Sequence, residues 1–209
     1  MLLRPDYRGP GVGAGPYPAY GASQAGAVLR YRLAPSAPQQ PMIHLRINAA
    51  VDQPHERDLA LGVSLRLLPR VPLRLAGELR ATQGSGRTRL RPAAFVVTEL
   101  APITLPQAFR AEVYGQAGVV GGAGGTAFVD AQVRLDRRIA AIGGAELRGG
   151  GGMWGGAQDG AERVDIGPGV TVGMRLGSTN ARLSADWRFR VAGQAAPASG
   201  PAITLSAGF

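Results

Sequence analysis

No cysteine occurs in the sequence, so disulfides, thiolate metal sites and cysteine nucleophiles are excluded. No lysine occurs either, and the net charge of +9 rests on arginine alone. A GC-rich genome would account for that usage; the physical consequence is the same whatever its origin, because arginine forks pair with carboxylates in a way lysine cannot match. No stretch approaches about 18 consecutive apolar residues, which excludes a membrane-spanning helix. A barrel would show none, since alternation halves the hydropathy of each strand, and the mean hydropathy of +0.01 fits a membrane protein or a soluble one. The opening Met1-Leu2-Leu3-Arg4-Pro5-Asp6 lacks the apolar core and cleavage site of a secretory leader. For an envelope protein, the expectation is then a mature chain or the C-terminal part of a longer one.

What is present is alternation. Ala181, Leu183, Ala185, Trp187, Phe189 and Val191 interleave with Arg182, Ser184, Asp186, Arg188 and Arg190. A period of two means a strand with one apolar and one charged face. The same pattern recurs in residues 25–33, 43–51, 59–67, 71–80, 109–119, 129–136, 140–148, 164–176 and 203–209. Residues 88–100 are strand-like but blurred, because Phe95 and Val97 share the phase of Arg89, Arg91 and Glu99. Elsewhere in these spans no Arg, Asp or Glu occupies the apolar phase. A soluble sandwich tolerates charges on its edges, whereas an arginine facing mid-bilayer lipid costs about 2–4 kcal/mol.

Glycine (32) and proline (16) mark the connections. Gly-rich or polar loops are expected at 8–23, 52–57, 82–87, 120–126, 149–162 and 193–201. Mostly short turns are expected at 34–41, 68–70, 101–107, 137–138 and 177–179. Short connections on one side and longer loops on the other suit an up-and-down barrel with its C-terminus on the periplasmic side. The ladders number eleven, or twelve with residues 1–7. The fold class expected is therefore all-β, an antiparallel up-and-down transmembrane β-barrel of about 10–12 strands, with twelve preferred for even closure. Residues 1–23 give a short first strand and a Gly/Pro-rich loop, and 24–209 the barrel of a single domain.

The polar phases then point inward. The expected lumen lining is Arg30, Arg32, Arg46, Arg66, Arg74, Glu78, Arg80, Arg110 and Glu112, followed by Asp130, Arg134, Arg175, Arg182, Asp186, Arg188 and Arg190. Glu146, Arg148 and Asp165 share that phase. Two readings stay open: cross-strand ion pairs that fill the interior, or an arginine-rich constriction that favours anions. No catalytic role is assigned, because the histidines His44 and His55 have no nucleophile or acid at a useful spacing. No cluster has metal-ligand spacing, and Gly121 to Gly125 lacks the Lys-Ser/Thr of a phosphate cradle. No cofactor is expected. The basic residues spread over many strands instead of forming a tail or patch, so nucleic acid is not an expected partner.

The ladders, the Gly-rich loops and the ending Thr204-Leu205-Ser206-Ala207-Gly208-Phe209 together resemble bacterial outer-membrane β-barrels. In that resemblance Ile203, Leu205 and Phe209 form the C-terminal insertion signal. The segment Ala111 to Gly118 and the ending also look like the C-terminal barrels of larger export or phage-receptor-type envelope proteins. The resemblance implies an outer-membrane location, the lipid bilayer and the barrel-assembly machinery as partners, and an anionic solute or polysaccharide as cargo. Three functions follow as expectations: a narrow pore or export channel, a closed barrel acting as anchor or surface receptor with loops 8–23 and 149–162 as the binding surface, or a soluble β-rich binding module.

Overall fold

The computed structural model describes residues 2–3, 24–50, 57–84, 87–122, 124–176, 179–195 and 199–208. The strands are β1 (Leu2–Leu3), β2 (Gln24–Arg32), β3 (Met42–Ala50), β4 (Arg57–Leu65), β5 (Leu73–Gly84) and β6 (Arg87–Thr98). They continue as β7 (Ile103–Thr104), β8 (Phe109–Val120), β9 (Thr126–Ile142), β10 (Ala145–Gln158), β11 (Ala161–Leu176), β12 (Thr179–Gly193) and β13 (Gly200–Gly208). All join one antiparallel sheet, and successive long strands run up and down as neighbours. Twelve of them carry this meander. The two-residue β7 is an appendage that pairs with the lower part of β8 through Ile103↔Ala111.

Strand β8 takes β6 on one side, through Ala93↔Val120 to Val97↔Gln116, and β9 on the other. The first and last long strands approach through β1: Leu2 and Leu3 pair with Thr204 and Ile203 of β13, and Leu2 with Gln24 of β2. That seam is the narrowest pairing in the sheet. Of the first strand expected over residues 1–7, Leu2 and Leu3 are in strand, and the rest lies outside the described residues.

Two expected connections are strand instead. The glycine-rich stretch 149–162, read as a loop, lies in β10 and the start of β11, and the hairpin turn shrinks to Asp159 and Gly160. Gly149 to Gly152 pair on both sides, with Arg137 to Arg134 of β9 and with Val170 to Gly167 of β11. Glycine serves there because neighbours need the space: a Cβ at Gly152 would stand 2.7 Å from the Trp154 ring, and one at Gly150 would strike the Leu135 carbonyl. The turn expected at 137–138 is also strand. β9 runs on to Ile142 through a bulge at Arg138/Ala140, and the chain reverses at Gly143-Gly144, both at positive φ as a primed hairpin turn requires. Arg137 therefore occupies the apolar phase after all, near the strand end, with its guanidinium 5.8 Å from the Phe109 ring centroid. Residues 8–23 and Phe209 lie outside the described residues.

Burial is inverted relative to a water-soluble domain. Leu61, Val63, Leu79, Leu90, Val129, Leu135, Ile166, Leu183, Phe189 and Leu205 are all exposed, whereas Arg80, Arg134, Arg163, Asp136, Asp165 and Asp186 are buried. Among the described residues nine apolar ones are buried, and six of these are alanines; only Val120, Phe128 and Trp154 are larger. The blurred strand β6 now makes sense. Arg91, Ala93, Phe95 and Val97 share the inner face, where Phe95 packs on Phe128 beside Ala93 and Val120. A small apolar patch interrupts an otherwise charged surface.

Gly167 and Gly173 provide a matched test of the sheet. A Cβ at Gly167 would collide with the Trp187 backbone carbonyl, whereas one at Gly173 meets nothing within 4 Å. Gly167→Ala should destabilise the folded protein by about 1–3 kcal/mol, as overpacking does, and Gly173→Ala should leave stability unchanged or slightly raised. Denaturant unfolding of both variants in detergent checks this; equal midpoints would contradict the close β11–β12 approach.

Candidate functional site

The inner face of the sheet is where chemistry is concentrated. Its strands alternate, so each contributes polar groups at every second position, and antiparallel pairing sets those groups side by side. Glu78 on β5 is the centre of one cluster. It accepts from Arg46 Nη2 at 2.6 Å and from Arg80 Nε at 2.5 Å, and His44 Nε2 lies 3.2 Å from its Oε2. Its side chain is only 1% exposed. Gly62 makes the meeting possible: it pairs with His44 on one side and Glu78 on the other, and a Cβ there would strike the His44 ring at 2.6 Å. Arg46 also reaches Asp58 at 3.3 Å, and Thr82 Oγ1 donates to Asp58 at 3.0 Å.

A second cluster lies on β9 to β12. Arg134 donates to Asp186 at 2.5 Å and to Thr171 Oγ1 at 3.1 Å, and Thr171 is 3.1 Å from Ser184 Oγ. The buried Trp154 indole takes guanidinium groups against its ring, with Arg188 Cζ at 4.3 Å and Arg134 Cζ at 5.6 Å from the centroid. Such stacking suits arginine, whose planar cation is weakly hydrated. A third cluster joins Asp136 to Arg148 and Arg110, Glu146 to Arg148, and Glu112 to Arg182. Nearer the loop end, Arg163 holds Asp165 at 2.7 Å and donates to the Ala195 carbonyl at 3.3 Å. Arg91 donates to the carbonyls of Gly121 and Gly124 beyond the end of β8.

Several contacts join strands that are not neighbours. Arg182 on β12 meets Glu112 on β8 at 2.7 Å although β9, β10 and β11 lie between them in the sheet. Arg134 on β9 meets Asp186 on β12, and Arg80 on β5 stands 5.7 Å from the Phe128 ring centroid on β9. Side chains on one face reach each other across intervening strands only if that face is strongly concave.

The expected lining residues divide by position. Arg46, Arg66, Arg74, Glu78, Arg80, Arg110, Glu112, Arg134, Arg182, Asp186 and Arg188 join ion pairs on the concave face. Asp130 accepts from Gln116 Nε2 at 2.7 Å. Arg30 and Arg32 pair with His44 and Met42 on the same face but are exposed near the strand end. Arg175 and Arg190 are exposed too; Arg175 reaches Asn180 at 3.5 Å and Arg190 donates to the Ala195 carbonyl. Ile203 and Leu205 are exposed on the opposite, apolar face. The lining set omitted Arg91, Asp58, Asp136, Arg163, Thr171 and Trp154. Asp136 and Arg163 lie in polar phases already visible, whereas Trp154 was hidden by the reading of its glycines as a loop.

At the turn end, connections are stapled to each other. Glu99, just beyond β6, accepts from Arg66 Nε and Arg74 Nε at 2.7 Å each, Arg74 also donates to the Gln40 carbonyl, and Glu99 N donates to the Pro72 carbonyl. Burial by itself would raise the Glu99 pKa, but the hydrogen bonds and charges of Arg74 and Arg66 outweigh it and hold the carboxyl below its ordinary 4.5. Comparison with protein-family models, with curated proteins and with solved structures finds no match for this chain.

Two predictions follow from these pairs. Asp186→Asn leaves Arg134 without its carboxylate in a buried site and should cost about 3–5 kcal/mol in detergent unfolding, as removal of one partner of a buried pair does; a loss below about 1 kcal/mol would show that water reaches Arg134. A lowered folded pKa means that ionised Glu99 stabilises the fold above the ordinary carboxylate range, and that this contribution is lost as pH falls through the lowered value. Glu99→Gln should accordingly be less stable than wild type near pH 7 and should show a shallower decline on acidification; parallel unfolding titrations with unchanged pH dependence would refute it.

Proposed function

We propose that this chain is an outer-membrane β-barrel, closed through β1, whose interior is filled at mid-height by ion pairs and which therefore acts as a membrane-held scaffold or surface receptor without an open pore. The observation that carries this is the inverted burial. Apolar side chains predominate on the outer face of the sheet, from Leu29 on β2 to Leu205 on β13, a surface far larger than the few hundred Å² a soluble monomer tolerates. Lipid would cover it. Strands of nine to seventeen residues are long enough to cross a hydrocarbon layer, which takes about 9–11 tilted residues. Closure also follows from the backbone: in lipid an open edge would leave unpaired N–H and C=O groups, and a ring removes it. The contacts between non-neighbouring strands and the β1 pairings support that ring.

Closed against narrow pore is a question of what fills the lumen. Arg80 is shielded from solvent by Glu78 and the Phe128 ring, and Arg134 and Asp186 by each other and the Trp154 ring. Shielded charges at mid-height leave little room for a column of water, which favours the closed reading. The pore or export-channel reading keeps one observation in its favour, the surplus of arginine over acid on the concave face.

Folding in detergent or lipid followed by gel electrophoresis with and without boiling tests the barrel. A shifted unboiled band is expected, together with flotation on lipid vesicles. A monomer soluble in plain buffer, with no shift, would sink the membrane reading and favour a soluble module. In planar bilayers the folded protein should give no conductance steps; discrete steps would replace the closed barrel by the pore.

A further inference from the structure

The two ends of the sheet differ in charge. Among the described residues, the exposed arginines Arg30, Arg32, Arg70, Arg137, Arg138 and Arg175 lie toward the turn end, and no exposed aspartate or glutamate accompanies them. The exposed acids Asp159 and Glu162 sit at the loop end, with Arg89 and Arg190. The turn end is therefore a cationic rim, and such a field raises the local concentration of anions.

A cavity of about 420 Å³ lies at that end, walled by β8, β10, β11 and β12. It runs from Gly144, Arg175 and Asn180 at the strand ends inward to Thr171. Four arginines line it, Arg110, Arg148, Arg175 and Arg182, against the single acid Glu146. Donors are left over. Arg175 reaches only Asn180, at 3.5 Å, and forms no ion pair among the described residues. Arg110 spreads its Nη2 over Glu112 at 3.2 Å and Asp136 at 3.4 Å, and its buried Nε has no hydrogen-bond partner. Arg182 spends Nη1 on Glu112. Arg148, by contrast, is held by Asp136, Glu146 and the Ala108 carbonyl, and so forms a fixed wall.

We propose that this cavity binds a small oxyanion-bearing solute, a carboxylate or phosphate ester on a body of about monosaccharide size. Arg175 and Arg182 take the anion at the mouth, and Arg110, whose Nε has no partner, stands in the wall. Paired oxygens at a fixed separation match guanidinium forks, which is why arginine is the usual partner of both groups. The volume falls within the ordinary range for small-molecule sites, about 300–1,000 Å³. Asn180 supplies a neutral amide for the hydroxyls of such a body. The site rests on the concave face being the wall of an enclosed interior, as in the barrel reading, and does not depend on ion conduction.

The test is titration calorimetry on the full chain folded in detergent at low salt, with glucuronate and glucose 6-phosphate as probes and glucose as the neutral comparison. The unboiled band shift is recorded on the same preparation. At least one anion should bind while glucose does not; which of them binds separates a carboxylate from a phosphate site. Arg175→Gln should weaken binding by at least about ten-fold, and Arg89→Gln, the same charge change at the loop end, by less than about two-fold. A heat-modifiable protein that binds neither anion overturns the site and leaves the barrel standing. Equal losses in the two variants would reduce the effect to overall charge and overturn the site as well. Absence of the band shift removes the enclosed interior, and the site with it.

Discussion

A buried guanidinium has to meet a carboxylate, and most of this structure can be understood as satisfying that demand many times on one surface. Desolvating a lone ion costs several kcal/mol, more than a typical apolar side chain returns on burial. Arg134 is tolerable because Asp186, Thr171 and the Trp154 ring surround it, and Arg80 because Glu78 and the Phe128 ring do. The demand fixes register. A slip of one residue on β9 would turn Arg134 and Asp136 onto the apolar face and bring Val133 and Leu135 into the charged one. Polarity and strand pairing are therefore one constraint, imposed at every rung.

Glycine is the second half of that arrangement. On the concave face, side chains from adjacent strands compete for a volume that shrinks toward the centre. Gly62 yields its place so that His44 and Glu78 can meet across it, Gly152 yields to the Trp154 indole, and Gly169 yields to Asp186, whose Oδ1 would strike a Cβ there. The conformational cost of glycine in a strand is about 0.5–1 kcal/mol per position. Losing a buried ion pair costs several times as much. That comparison explains why a strand can carry six glycines between Gly149 and Gly156 and still pair fully on both sides.

Much of this was legible. Period-two alternation located the long strands, and within the polar phases opposite charges recur two residues apart: Glu78 with Arg80, Arg110 with Glu112, Glu146 with Arg148, Arg163 with Asp165, Asp186 with Arg188. The structure makes ion pairs of all five. What sequence could not supply are partners set by curvature. Arg182 and Glu112 are 70 residues apart and Arg134 and Asp186 are 52 apart, on strands that do not pair. Their meeting depends on how tightly the sheet coils, which no local pattern encodes. The 149–162 misreading has a different origin: glycine signals loops by backbone freedom and also serves sheets by having no side chain, and composition alone does not separate the two uses. Phe95 and Val97 blurred β6 for a related reason, since an inward apolar patch breaks the alternation that identifies a strand.

The same constraint accounts for where the surplus of positive charge goes. Deep on the concave face each arginine needs an acid, a backbone carbonyl or an aromatic ring within reach, so the number of arginines there is held near what those partners can satisfy. Arginines beyond that number are tolerated only where solvent can reach them, at the strand ends. The loop end already carries the exposed acids Asp159 and Glu162, whereas at the turn end Glu99 is taken up by Arg66 and Arg74, so cations without an acid accumulate there. An axial gradient of charge then needs no separate explanation. It is what remains when a chain with arginine for every basic residue but histidine and a net charge of +9 neutralises its concave face first.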